Sequence, residues 1–217
     1  MKINMINGSQ KTGESNSGII LNGLNDLIKE KHKAATACQV AIYKSGLKRF
    51  TNETLKEILS GDVIVLAFPL FGDSIPSNTL KMLIDLENAV KQEGAQNLIL
   101  YTIVNNGFYE GKQNAIAFEI IKNWCDRSGV QFGGGIGQGA GEMLGPTKHI
   151  PLNKGPFNNL ARALQAMTEK METKEPFETM YLNPYFPRFL WKIMGTRFWN
   201  TQARKNGLTK KDMIRRL

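Results

Sequence analysis

A loop rich in hydroxyl, amide and glycine residues lies near the N-terminus. It reads NGSQKTGESNSG over residues 7–18 and separates two apolar runs. Its serines, its threonine and Asn16 donate hydrogen bonds, Lys11 supplies positive charge, and Gly8 and Gly13 allow close approach to the backbone. A helix that begins here adds unpaired N–H groups and the positive end of its dipole. The loop therefore predicts a phosphate-binding site.

Helix capping is the simpler role for the same loop, with Asn16 or Ser17 as the N-cap residue. A cap needs one such side chain, whereas this loop supplies several, so we prefer the phosphate interpretation. The loop is not a P-loop, because no Gly-Lys-Ser/Thr sequence closes it, and it lacks the G-x-G-x-x-G dinucleotide pattern.

Two further loops follow strongly apolar runs. The turn at 69–72 reads PLFG, and an apolar turn of this kind is costly to expose unless a flat ligand covers it. The loop NNGFY at 105–109 offers amide and backbone groups and two aromatic rings. The alternative is that these two loops pack on each other or at a dimer interface.

The elements that position these loops alternate along the chain. Residue periodicity predicts strands over 2–7, 40–43, 62–68, 97–104 and 130–136, and helices over 17–32, 51–60, 77–93, 113–128 and 156–172. Ser77 or Asn78 is expected to cap the third of these helices. Strict alternation predicts a parallel, doubly wound sheet. Ligands bind beyond the carboxyl ends of the strands in such sheets, which is where the three loops lie.

Composition excludes several classes of protein. The 217 residues are 41% hydrophobic and 22% charged, as in an ordinary globular domain, and no apolar run is long enough to span a membrane or to act as a signal peptide. We expect a cytoplasmic protein in which Cys38 and Cys125 are free thiols. With His32 and His149 as the only histidines, we expect no histidine-based metal site.

The basic charge is concentrated after residue 175. Residues 176–217 contain nine Lys or Arg and two acids, and so carry seven of the nine net positive charges. We predict two parts, a domain over 1–175 and a basic, aromatic-rich helical extension over 176–217. Apolar residues at helical spacing from Phe189 to Phe198 favour packing on the domain or on a partner subunit. Peripheral contact with a membrane is the second interpretation, and nucleic-acid binding is not expected.

Three motifs together resemble the flavodoxin-like NAD(P)H-dependent FMN reductases. They are the loop GSQKTGESNSG, the segment FPLFGDSIPSNTLKMLID and the Asn-Gly-aromatic loop after the fourth strand, and the resemblance covers about residues 1–145. It implies a flavodoxin-like, five-stranded sheet of order 2-1-3-4-5. It also implies an enzyme that passes electrons from NAD(P)H through FMN to a small acceptor such as a quinone, a nitro or azo compound, or a metal ion.

The resemblance assigns cofactor-binding roles and no catalytic side chain. It implies that the FMN phosphate is held by Ser9, Lys11, Ser15, Asn16 and Ser17. One side of the isoalloxazine ring would lie along Pro69, Leu70, Phe71 and Gly72, and the ring edge would contact Asn105, Asn106, Gly107 and Tyr109. Many relatives carry arginine in the phosphate loop where this chain has Gln10 and Lys11, which implies weaker phosphate binding.

Other interpretations stay open at this point. The protein is expected to be a homodimer whose extension completes the interface or covers the flavin. A flavodoxin-type electron carrier, or a non-catalytic module that binds a membrane or a partner, is the alternative function. The stretch 135–140 matches G-x-G-x-x-A, but we interpret the glycine-rich segment as a flexible loop at the cofactor rim or a dimer contact rather than a nicotinamide site.

Overall fold

The computed structural model describes residues 1–32, 38–45, 49–94 and 97–213. The strands are β1 (Lys2–Asn7), β2 (Gln39–Lys44), β3 (Val63–Pro69), β4 (Ile99–Asn105), β5 (Gln131–Gln138) and β6 (Met180–Leu182). The helices are α1 (Asn16–Lys31), α2 (Asn52–Leu59), α3 (Ser77–Glu93), α4 (Ala115–Ser128), α5 (Asn158–Thr173), α6 (Arg188–Lys205) and α7 (Lys210–Met213). Short 3-10 turns lie at Gly111–Asn114, Gly141–Met143 and Gly155–Phe157.

The strands form one parallel sheet in the order β2-β1-β3-β4-β5-β6. The predicted alternation and parallel sheet are confirmed, but the prediction of five strands is wrong because Met180–Leu182 pairs with Ile136–Gln138. This sixth strand lies within the predicted extension. It was missed because three residues among prolines carry no periodic signal.

Both faces of the sheet are covered, since strand residues alternate between two apolar cores. In β3, Val63, Val65 and Ala67 join the core under α1 and α5. Ile64, Leu66 and Phe68 join the core under α2, α3 and α4. Burial on both faces explains why this strand is a continuous apolar run.

Aromatic contacts hold the segment before and within β6 against the sheet. Phe177 stacks on Tyr101, with ring centroids 6.0 Å apart, and its N–H donates to the carbonyl of Gly133 at 2.9 Å. Tyr181 makes an edge contact with Phe118 at 5.8 Å. Burial raises the pKa of Tyr101, whose hydroxyl lies 2.9 Å from the carbonyls of Lys170 and Glu175.

The strand predicted over 130–136 is confirmed as β5, which continues to Gln138 and is buried, so this part of the glycine-rich segment is not the flexible loop that we expected. A Cβ atom on Gly133 would collide with the ring of Tyr101, and one on Gly135 with the ring of Phe118. These glycines are therefore required by close packing of aromatic rings over β5. The turn that follows, from Gly139 to Glu142, continues from the carboxyl end of β5.

Both cysteines are free thiols, as predicted. Cys125 is buried in α4, and burial raises the pKa of its thiol to about 12. A buried thiol of this kind is a packing residue rather than a nucleophile.

The chain divides into two compact units, residues 1–184 and residues 185–217. The second unit contains α6 and α7. Within the described ranges, no helix is long and apolar enough to cross a membrane.

Candidate functional site

A cleft of about 250 Å³ opens at the carboxyl ends of β1, β3 and β4. Ten of the thirteen predicted cofactor-binding residues line it: Ser9, Lys11, Asn16, Ser17, Pro69, Leu70, Phe71, Asn105, Asn106 and Gly107. Gln10, Pro76 and Glu142 line it as well. Ser15, Gly72 and Tyr109 do not.

Ser15 is the N-cap of α1, so the prediction of Asn16 or Ser17 as the cap is wrong. Its hydroxyl oxygen accepts the N–H of Gly18 at 3.1 Å, and its carbonyl accepts that of Ile19 at 2.9 Å. The N–H groups of Asn16 and Ser17 have no acceptor among the described residues. Two helix N–H groups with the helix dipole behind them thus remain available to an anion.

The buried hydroxyl of Ser17 is oriented by Asn105, whose Nδ2 donates to Ser17 Oγ at 2.8 Å. The same Nδ2 donates to the carbonyl of Phe68 at 3.2 Å. Because Ser17 Oγ accepts from Asn105, its own hydrogen is free to donate to a ligand. The phosphate-loop side of the cleft therefore carries a third oriented donor.

Two residues outside the predicted set shape the loop. Asn7, the last residue of β1, donates to Ser15 Oγ at 3.1 Å and accepts the N–H of Ser9 at 3.0 Å. Lys44 Nζ, at the end of β2, donates to the carbonyls of Thr12 and Gly13 at 3.0 and 3.2 Å. Their only sequence signal was their position at predicted strand ends.

Helix α3 also contacts the loop at residues 7–18, through the carbonyl of Gly8. Thr79 Oγ1 is buried and donates to the carbonyl of Gly8 at 2.9 Å, and a Cβ on Gly8 would collide with that hydroxyl. Neither Ser77 nor Asn78 caps α3 as predicted, since Pro76 is the N-cap residue. Asn78 instead donates to the carbonyl of Ser45 at 2.6 Å and so ties α3 to the segment after β2.

The apolar wall of the cleft is the turn that follows β3. Leu70 donates its N–H to the carbonyl of Asn105 at 2.7 Å, which joins this turn to the end of β4. Phe71 is 66% exposed although it borders the cleft. Gly72 and Asp73 both have positive φ, 56° and 60°, and reverse the chain beyond it. A large ring left in solvent beside a polar cleft is suited to cover a flat ligand.

The opposite rim consists of the Asn105–Gly107 loop and the turn after β5. The Asn106 N–H donates to Gln138 O at 3.0 Å, and the Gly141 N–H donates to Asn106 O at 2.6 Å. The Oδ1 atom of Asn106 is buried and has no donor among the described residues. Glu142 Oε1 lies 3.2 Å from where a Cβ on Gly107 would stand, so a carboxylate borders this rim.

The residues present fit FMN, the cofactor that the resemblance implies. Two N–H groups, one hydroxyl and Lys11 suit a phosphate, while the turn at 69–71 suits an aromatic ring and Asn106 Oδ1 suits a ring N–H. The volume lies just below the range of about 300–1,000 Å³ typical of ligand sites. Part of the ligand would therefore extend past the rim.

A larger cavity, about 460 Å³, lies between α1 and the segment 144–161. None of its lining residues belongs to a strand, and the lining combines carboxylates, lysines and apolar side chains. The smaller cleft is the better candidate, because only there do oriented donors converge at strand ends.

No protein-family model and no curated protein matches the chain. Among solved structures, the apo form of the NADH:FMN oxidoreductase EMOB is similar, with TM-score 0.57 and 12% identity over 80% of this chain and 89% of that one. A short-chain flavodoxin associated with a bacterial microcompartment has TM-score 0.56 and 10% identity over 80% and 98%. An azoreductase from Bacillus anthracis str. Sterne has TM-score 0.51 and 12% identity over 79% and 99%. The predicted flavodoxin-like fold is thereby confirmed, and the chain has a flavodoxin-like α/β fold.

Proposed function

We propose that this protein is an FMN-dependent oxidoreductase that passes electrons from NAD(P)H to a small acceptor such as a quinone, a nitro or azo compound, or a metal ion. One observation carries the proposal. A single cleft combines oriented anion donors at the start of α1 with an apolar turn, Pro69–Phe71, that suits a flat ring.

The phosphate group would be held by the N–H groups of Asn16 and Ser17 and by the Ser17 hydroxyl. Lys11 adds a positive charge at the same end of the cleft. Because α1 is anchored through Ser15 and Asn7, these donors keep their positions when no ligand is bound. Such preorganisation lowers the entropy lost on binding.

The ring would lie between the turn at Pro69–Phe71 and the Asn105–Gly107 loop. Bound FMN supplies the hydride and electron transfer, so no side-chain nucleophile or general base is assigned. Phe71 and Leu70 would exclude water from one ring face, and Asn106 Oδ1 would accept a ring N–H. The Glu142 carboxylate places a negative charge at the rim.

The similar structures support the reaction class. Two of them are an NADH:FMN oxidoreductase and an azoreductase, and each aligns with about four fifths of this chain.

An absorbance experiment tests the proposal. The purified full chain is mixed with FMN, desalted, and then given NADH or NADPH without oxygen. We expect flavin bands that survive desalting and bleach with at least one of the two nucleotides. Lys11→Gln is expected to weaken FMN retention, whereas the matched change Lys29→Gln, on the exposed face of α1, is not.

Two results would change the conclusion. If the retained flavin is bleached by dithionite but by neither NADH nor NADPH, the protein is an electron carrier. No retained flavin would show that the cleft binds another ligand or none, and the proposed function would be rejected.

A further inference from the structure

The surface of α6 exposes many large apolar side chains. Phe189 is 64% exposed, Trp199 57% and Met194 51%. Leu190, Ile193 and Phe198 are exposed on the same helix. Isolated exposed apolar residues are ordinary, but six on one helix of 18 residues form a patch that indicates an interaction surface.

The patch is continuous along the helix. Leu190, Met194 and Phe198 follow each other at four-residue spacing and therefore form one row. Phe189 and Ile193 form the neighbouring row. Phe198 and Trp199 contact each other edge to face, with ring centroids 5.5 Å apart, and extend the patch at its C-terminal end.

The polar part of α6 is entirely basic or uncharged. The helix contains five Lys or Arg and no Asp or Glu. In the described part of the chain, no carboxylate forms an ion pair with Lys192, Arg197, Arg204 or Lys205. Asp212 is the only acid after residue 184, and its carboxylate accepts hydrogen bonds from the N–H and hydroxyl of Thr209.

We propose that α6 binds the surface of an anionic lipid bilayer. Its basic and apolar side chains are interleaved around the helix rather than divided between two faces. The exposed apolar side chains would enter the boundary between headgroups and acyl chains, while the neighbouring basic side chains would reach the anionic headgroups. Arg197 continues the row of Phe189 and Ile193, and the long arginine side chain allows its charge to reach the headgroups from there.

The exposed side chains favour a membrane over a nucleic acid. Basic residues alone would suit either partner. Leu190, Ile193 and Met194, however, have no aromatic ring or charge, so they neither stack on bases nor bind phosphate. Their burial in a bilayer is favourable. The proposal concerns the second unit and does not depend on the flavin site.

Vesicle flotation of the full chain tests the proposal, with phosphatidylcholine vesicles that contain or lack phosphatidylserine. We expect binding to the anionic vesicles that falls as salt is raised. Lys192→Gln with Arg197→Gln should weaken it about fivefold per charge removed. Phe198→Ser with Trp199→Ser should weaken it further. Lys29→Gln with Lys154→Gln removes the same charge from the first unit and should change it less than about twofold.

Tryptophan fluorescence gives a second readout. The three tryptophans are Trp124, Trp191 and Trp199, and Trp124 is buried in the first unit with its Nε1–H bonded to the carbonyl of Leu83 at 2.8 Å. Quenching by brominated lipids would therefore report on α6, and Trp199→Phe should reduce it.

Three results would overturn the proposal. The first is an absence of binding to anionic vesicles. The second is binding that the α6 variants leave unchanged. The third is a protein that does not bind vesicles but does bind a single-stranded RNA tightly, or that forms a dimer. In the case of the dimer, Phe198→Ser with Trp199→Ser would convert it to a monomer. These would identify a nucleic acid or a second copy of the chain as the partner.

Discussion

Asn105 at the end of β4 and Ser17 in the first turn of α1 are joined by a buried hydrogen bond of 2.8 Å. The Asn105 amide also donates to the carbonyl of Phe68 in β3. One side chain therefore connects two strand ends with the helix that supplies the anion donors.

Asn105→Ala is expected to raise the Kd for FMN about tenfold. The change removes the donor that orients the Ser17 hydroxyl and one side-chain hydrogen bond to the Phe68 carbonyl, at a cost of roughly 1–3 kcal/mol. Titration followed by flavin fluorescence measures the Kd. Asn153→Ala, in an exposed loop away from the cleft, is the control. Equal Kd values for the two variants would contradict the role given to Asn105.

Glu142→Gln is expected to raise the midpoint potential of bound FMN. A carboxylate at the rim opposes the addition of electrons to the ring, and its removal relieves that repulsion. Equilibrium titration against a reference dye measures the potential. Glu169→Gln, an exposed carboxylate change on α5, should leave it unaltered. A lowered potential would show that Glu142 does not act on the flavin through its charge.

Gly135→Ala is expected to reduce the free energy of unfolding by about 1–3 kcal/mol, because the added methyl group collides with the ring of Phe118. Urea unfolding measures the loss. Gly195→Ala in α6 is the matched control, since no atom lies within 4 Å of its Cβ position and alanine favours a helix. If both variants unfold at the same urea concentration as the parent protein, β5 does not need its glycines.

Glu87→Gln is expected to destabilise the protein at neutral pH but not in acid. Lys91 and Arg127, whose nitrogens lie 2.7 and 2.8 Å from Glu87 Oε1, hold the pKa of the buried carboxyl below its ordinary value. The charged form is thus favoured in the folded state. Its contribution is complete above the unfolded-state pKa of about 4.3 and disappears as pH falls through the lower folded-state pKa.

Urea unfolding at pH 7 and at pH 3 checks this dependence. The difference between parent and Glu87→Gln should shrink at the lower pH. Glu119→Gln removes a carboxylate that is 60% exposed and, among the residues that the structure describes, forms an ion pair with Lys122 alone, and it should have little effect at either pH. A difference that grows in acid would contradict the assigned direction of the pKa shift.

The sequence predicted the features that depend on neighbours along the chain. Apolar runs gave β3 and β4 to within a residue or two, because burial on both faces makes such runs continuous. The loops after these strands were then expected at one edge of the sheet, because the carboxyl ends of parallel strands lie at the same edge. Most of the predicted site residues line one cleft for this reason.

The features that were missed depend on contacts between distant segments. The glycines of β5 are set by rings from β4 and α4, and β6 is set by stacking of Phe177 on Tyr101. Ser15 was not distinguished from its neighbours as the cap because Asn7, eight residues earlier, helps to select it. None of these partners can be identified from local periodicity.

The pairing of β6 with β5 has a consequence during synthesis on the ribosome. Until residues 180–182 have emerged, β5 is the outermost strand of the nascent sheet, and its unpaired backbone groups can recruit a strand from another chain. A truncation after residue 175 would make this aggregation-prone stage permanent. Removal of the C-terminal unit should therefore begin after Pro184, which leaves the sheet with its protecting edge.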